Sequence, residues 1–163
     1  MVGVLFVCMG NICRSPLAEG VFAHQASARG LFEAGLKCDS AGTSGYHVGQ
    51  PPDARAVRVA ASRGIDISGQ RSRRVEPADF SRYQYIMAMD QYNVERLMES
   101  APSGESHRIK LYLSYAPELG LSEVPDPYYG GGRGFETCFD LVHEAAGGLI
   151  EALVRDHFPD LRK

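Results

Sequence analysis

The sequence predicts an α/β fold, a single parallel sheet with helices packed on both of its faces. Three observations carry this. The chain opens on an apolar, β-branched run without alternation, Val2 to Val7, which suits a strand buried on both sides. Three more short apolar runs follow, each divided from the last by a stretch with helical spacing, and that alternation argues for parallel strands joined by crossover helices. With 163 residues, 44% hydrophobic and 23% charged, the chain has the size and composition of one soluble domain, spanning residues 1–163.

The elements fall in order. Ser15-Pro16 predicts a helix start, with Ser15 as cap or first-turn residue and Pro16 at the first helical position. Leu17, Ala18, Val21, Phe22 and Ala28 recur at helical spacing toward Gly30. Leu36 to Asp39 reads as a second strand, and Ser40 to Gly45 as a small-residue loop. Pro51-Pro52-Asp53 opens a second helix that ends near Gly64, and Pro77 to Phe80 makes one helical turn. Gln84 to Met89 is the third strand, with a helix from Gln91 to Glu99 behind it. Ile109 to Leu113 is the fourth strand, and Val124 to Arg133 is a Pro/Gly/Tyr-rich loop. From Phe135 an amphipathic helix closes the chain, despite Gly147-Gly148, which costs it about 2 kcal/mol against Ala-Ala.

Composition excludes several classes. A net charge of -3 gives no global field for nucleic acid, so any anion must be bound by a local site. The four cysteines form neither a Cys-x-x-Cys pair nor a zinc spacing, and read as free thiols of a reducing compartment. The apolar start is too short to span a membrane and has no basic leader, so a cytoplasmic protein is expected. Arg71, Arg73 and Arg74 read as a solvated basic loop rather than a docking patch.

The chemistry sits in the turn after the first strand. Cys8 ends the apolar run, Met9-Gly10-Asn11-Ile12-Cys13 follows, and Arg14-Ser15-Pro16 begins the helix. A thiol attacks phosphorus as a thiolate, and the positive end of the helix, inward-turned N–H groups and the Ser15 hydroxyl all favour that anion. The same N–H groups would cradle phosphoryl oxygens while the Arg14 fork binds two of them. A nucleotide P-loop is disfavoured by the lack of Gly-Lys-Ser/Thr, and a dinucleotide fingerprint by the single glycine. Cys13 reads either as an inert packing residue or as a thiol that resolves oxidised Cys8.

A tyrosyl leaving group, whose pKa is about 10, benefits from a general acid near neutral pH. Val124-Pro125-Asp126-Pro127-Tyr128-Tyr129-Gly130 offers one: Asp126 is fixed between two prolines, and Tyr128 and Tyr129 could wall a pocket for an aromatic ring.

Together these segments closely resemble the low-molecular-weight protein tyrosine phosphatases. The resemblance runs through Val7 to Pro16, Asp39 to Thr43, Val48-Gly49 with Pro52-Asp53, Met89-Asp90 and Asp126 to Gly130. It implies a three-layer, Rossmann-like fold of the phosphotyrosine phosphatase I type, with a four-stranded parallel sheet and no metal or organic cofactor. It implies Cys8 as nucleophile, Arg14 as phosphate clamp, Ser15 as thiolate stabiliser and Asp126 as general acid. Met9, Gly10, Asn11, Ile12 and Cys13 would line the phosphate loop, Asn11 shaping it with Ser40 as partner, and Tyr46, Tyr128 and Tyr129 would wall the pocket. Asp90 matches a structural acidic position. Gln70 departs from the pattern, since many relatives carry a histidine there behind the loop. The implied substrate is a phosphotyrosine-containing protein, a tyrosine kinase among the candidates, met by a monomer that binds neither nucleic acid nor membrane. Two rivals stand beside this reading. A thiol-dependent arsenate reductase of the same fold would relay oxidation through more cysteines near the third strand, but residues 80–100 contain none. A non-catalytic phosphate-binding or redox-sensing module would lack the full set of Cys8, Arg14, Ser15 and Asp126.

Overall fold

The computed structural model describes residues Met1–Arg162. Four strands, β1 (Val2–Cys8), β2 (Leu36–Gly42), β3 (Tyr85–Ala88) and β4 (Ile109–Leu111), form one parallel sheet in the order β2-β1-β3-β4. Among the described residues five α-helices accompany it: α1 (Arg14–Ala28), α2 (Ala54–Ser62), α3 (Asp79–Arg82), α4 (Gln91–Ser100) and α5 (Gly134–His157).

The unalternating apolar run works as expected. Val4, Leu5, Phe6 and Val7 are all fully buried. Successive side chains of a strand point to opposite faces, and the sequence splits accordingly into two cores. Val4, Phe6 and Cys8 join Leu17, Phe22, Val142 and Leu149 on the side of α1 and α5. Leu5 and Val7 join Phe80, Ile86 and Leu97 on the side of α3 and α4. These are the three layers predicted.

The chain leaves β1 for β2 on one side and then crosses to β3 on the other. The carboxyl end of β1 is therefore a switch point of the sheet, where loops part and leave a crevice. Cys8 is the last residue of that strand, in register with Gly42 of β2.

Several boundaries differ from expectation. β2 continues through Ser40, Ala41 and Gly42, which read as loop because they are small. Gly42 is required there, since a Cβ would collide with the Met9 carbonyl oxygen 2.6 Å away. Helix α1 starts at Arg14, so Pro16 is its third residue, still inside the first turn where its missing N–H costs nothing. The turn expected at Pro77 to Phe80 is centred two residues later, in α3. β4 stops at Leu111, and Tyr112–Tyr115 is a 3₁₀ turn. Gly148 explains the weak point of α5: a Cβ there would overlap the Tyr115 carbonyl oxygen, so the glycine lets helix and turn touch.

Candidate active site

The turn between β1 and α1 is held from outside by its carbonyls. Thr43 N–H donates to Cys8 O (2.9 Å), Ser44 N–H to Met9 O (3.0 Å), the Ser72 hydroxyl to Gly10 O (3.0 Å) and Asp53 N–H to Ile12 O (2.8 Å). With the carbonyls drawn outward, the amides of Met9, Gly10, Ile12 and Cys13 donate to no protein acceptor among the described residues. That is the polarity of an anion nest.

Asn11 fixes the turn. Its φ of 56° lies in the left-handed region, which asparagine tolerates better than most residues. Three bonds hold it there: Nδ2 donates to Ser15 Oγ (2.8 Å) and Ser40 Oγ (3.0 Å), and Oδ1 accepts from Arg73 N–H (3.0 Å). The Asn11–Ser40 partnership expected from the sequence is present. In this conformation Asn11 N–H points at Cys8 Sγ (3.3 Å), and Ser15 Oγ lies 3.0 Å from the same sulfur.

Arg14 is 3% exposed, and its fork is aimed from behind. Nη1 donates to Asp90 Oδ2 (2.6 Å) and Val124 O (3.1 Å). Asp90 is itself rigid, because its Oδ1 accepts from Asn93 N–H (2.8 Å) in a capping box at the start of α4. Burial opposes the charge on Arg14, but the Cys8 sulfur and Asp90 outweigh it and leave the guanidinium pKa raised. Nη2 lies 3.8 Å from Asp126 Oδ2, so the distant aspartate does arrive beside the turn. Its side chain is 35% exposed, and its Oδ1 accepts from Tyr128 N–H (3.0 Å).

These groups line a cavity of about 60 Å³ bounded by Cys8, Met9, Gly10, Ile12, Cys13, Arg14, His47, Asp126, Tyr128 and Tyr129. Larger hollows of about 370 and 570 Å³ occur elsewhere, but their walls contain no thiol, so chemistry rather than volume marks the site. Tyr46 is not among the lining residues. It is 84% exposed and stands edge-on to His47, with ring centroids 4.8 Å apart, so His47 is the wall at this point. Cys13 lines the cavity, but burial first, then Asp53 and Cys8, pushes its thiol pKa up, and burial pushes the Cys138 thiol up to about 12.

The chain matches the low molecular weight phosphotyrosine protein phosphatase family over residues 3–158. The chain belongs to that family. The human low molecular weight phosphotyrosine protein phosphatase is 40% identical over 150 residues, 91% of this chain and 93% of that one. The structure of a protein tyrosine phosphatase from Entamoeba histolytica with Hepes in its active site has a TM-score of 0.91 at 40% identity, covering 95% of this chain and 98% of that one. A Drosophila arginine phosphatase has a TM-score of 0.86 at 30% identity, covering 94% and 98%. The protein is a hydrolase, a protein tyrosine phosphatase that acts on phosphoproteins.

What the sequence missed in this phosphatase is the support. Arg73 is no solvated charge: its guanidinium binds Asp39 (3.0 Å) and the buried Asp79 (2.9 and 3.1 Å), while its amide holds Asn11. Gln70, in place of the histidine, donates from Nε2 to Pro16 O (3.1 Å), and its buried Oε1 has no partner among the described residues.

Behind the turn, Glu19 of α1 is raised from the usual carboxyl range to about 7, by burial above all and by Asp39, against the opposing effects of Ser40 and Arg73. A folded pKa above the unfolded value means that, between about 4.5 and 7, the native state keeps a proton that the unfolded chain has released. Stability therefore falls as pH rises through that window, by at most about 3 kcal/mol at roughly 1.4 kcal/mol per unit. Glu19→Gln should match the parent in thermal unfolding at pH 5 and exceed it at pH 8. An unchanged difference at the two pH values would rule out this titration.

Proposed function

We propose that this phosphatase dephosphorylates phosphotyrosine in proteins by two displacements at Cys8. The convergence of the Cys8 sulfur, the Arg14 fork and the Asp126 carboxyl on one small cavity supports this reading above all. In the first step the Cys8 thiolate, stabilised by Ser15, attacks phosphorus, and the phosphorus–oxygen bond to the tyrosyl group breaks. Asp126 gives its proton to the departing phenolate, leaving a cysteinyl-phosphate. In the second, Asp126 takes a proton from water, the water oxygen attacks phosphorus, and the sulfur leaves as thiolate with inorganic phosphate released. The amides of Met9, Gly10, Ile12 and Cys13 and the Arg14 fork bind the phosphoryl oxygens in both steps.

The cavity walls support an aryl substrate. Tyr128 and Tyr129 lie with ring centroids 4.9 Å apart and nearly perpendicular, and Ile12 adds an apolar side. The substrate is then a phosphotyrosine protein, with a tyrosine kinase as a candidate. A monomeric enzyme of the cytoplasm belongs to the same proposal; separately, no helix among the described residues is long and apolar enough to cross a membrane. Phosphate release from matched peptides carrying phosphotyrosine, phosphoserine or phosphoarginine is the test. The phosphotyrosine peptide should be hydrolysed with the highest kcat/KM. Faster release from phosphoarginine would overturn the substrate assignment while leaving the Cys8 chemistry intact.

A further inference from the structure

Asp126 does not hold itself in place. It sits in an exposed loop, and its Oδ1 accepts from Tyr128 N–H at 3.0 Å, so the carboxyl's orientation follows the Tyr128 peptide. The other side of that residue is held by Arg55 of α2. Arg55 Nη2 donates to Tyr128 O (3.3 Å), and the guanidinium lies over the Tyr128 ring, 5.5 Å from its centroid. It also lies 4.6 Å from the centroid of Phe135, at the start of α5. The fork itself is fixed by Asp53, with Nε to Oδ1 at 3.0 Å and Nη2 to Oδ2 at 2.9 Å. Asp53 caps α2 by accepting from Arg55 N–H (2.8 Å), and its own N–H holds the Ile12 carbonyl (2.8 Å). One continuous set of contacts thus joins the loop around Cys8 to the loop that carries Asp126.

We propose that Arg55 is a positioning residue for proton transfer: clamped by Asp53, it holds the Tyr128 backbone so that the Asp126 carboxyl stays beside Arg14 in the cavity it shares with Cys8. The inference rests on Asp126 being the general acid. Arg55 touches neither the sulfur nor the cavity and acts only through Tyr128. A planar fork suits the task, because it binds the Asp53 carboxylate with two nitrogens, donates to a carbonyl and stacks on a ring at once, which an ammonium cannot do. The requirement for an acid grows as the leaving group becomes more basic, so misplacing Asp126 has a signature that general loosening of the fold does not share.

The test measures kcat/KM for aryl phosphates from p-nitrophenyl to phenyl phosphate with the parent, Arg55→Met, Asp126→Ala and the double variant. Arg55→Met should lose about tenfold on phenyl phosphate and little on p-nitrophenyl phosphate, a loss in the range that misplaced catalytic groups produce. The plot of log kcat/KM against leaving-group pKa should steepen, and in the Asp126→Ala background the Arg55 change should cost nothing more. Equal loss across the series, or a full additional loss without Asp126, would overturn the positioning role. If Asp126→Ala alone shows no leaving-group dependence, the acid assignment falls, and that is read without any Arg55 variant. Arg55→Lys, which keeps charge and stem but not the fork, should show the same steepening and serves if Arg55→Met does not fold.

Discussion

Cys8→Ser should end turnover while leaving phosphate binding in place. The serine oxygen would occupy nearly the same point, at the end of β1, facing Ser15 Oγ and the Asn11 amide. Neither neighbour would remove its proton, because both serve as donors and Arg14 is a cation, and in the first step Asp126 must itself hold a proton for the leaving group. A hydroxyl without a base is a weak nucleophile, whereas a thiol yields a useful thiolate fraction near neutral pH and is intrinsically reactive. The expected rate of p-nitrophenyl phosphate hydrolysis is below about 10⁻⁴ of the parent, the scale on which loss of a nucleophile is felt. The cradle depends on the outward bonds to Cys8 O, Met9 O, Gly10 O and Ile12 O, and none of these involves the sulfur. Inorganic phosphate should therefore still bind in titration calorimetry, within a few-fold of its parent affinity. Retained turnover would remove Cys8 from the centre of the reaction. Lost binding together with lost turnover would mean that the substitution had broken the turn, and the rate would then say nothing about the nucleophile.

How much of this was legible follows from the range of the interactions. The unbroken run Val2 to Val7 announced a strand covered on both faces, and the two cores built on its alternate residues are that reading in three dimensions. Cys8, Arg14 and Ser15 are close in sequence and keep company through the geometry of a strand, a turn and a helix start, so their spacing was enough to foresee that they meet. Asp126 was reached by a different route, through its two flanking prolines and the resemblance, since nothing local ties it to Cys8. The support was hidden for the same reason. Arg73 looks like one member of a basic loop until Asp39, Asp79 and the Asn11 side chain are brought around it. Ser40 to Gly42 looks like loop because its small residues have low strand propensity, and only pairing with β1 makes it a strand. His47 took the place expected of Tyr46 because adjacent residues in a turn point different ways, which spacing does not resolve.

Arg14→Lys should cost about 10³ in kcat, and should cost it evenly for every leaving group. A phosphoryl group in transfer spreads its charge over three oxygens, and a preorganised fork meets that charge without reorganising. Arg14 is preorganised because its Nη1 is taken up by Asp90 Oδ2 and Val124 O, so the plane of the guanidinium is set before any substrate arrives. Lysine has one nitrogen. If it pairs with Asp90 it is withdrawn from the cavity, and if it turns to the phosphate it leaves Asp90 and the buried Val124 carbonyl without their donor. Charge is conserved in this variant, so a loss reports geometry rather than net electrostatics. Both displacements pass through a transition state of the same kind, so the burst of phenol and the later steady rate should fall together. That separates Arg14 from Asp126, whose removal weighs on basic leaving groups in the first step. Stopped-flow release of p-nitrophenol, run beside phenyl phosphate, reads both. Activity within tenfold of the parent would show that a point charge suffices and that the fork's fixed plane does not stabilise the transition state.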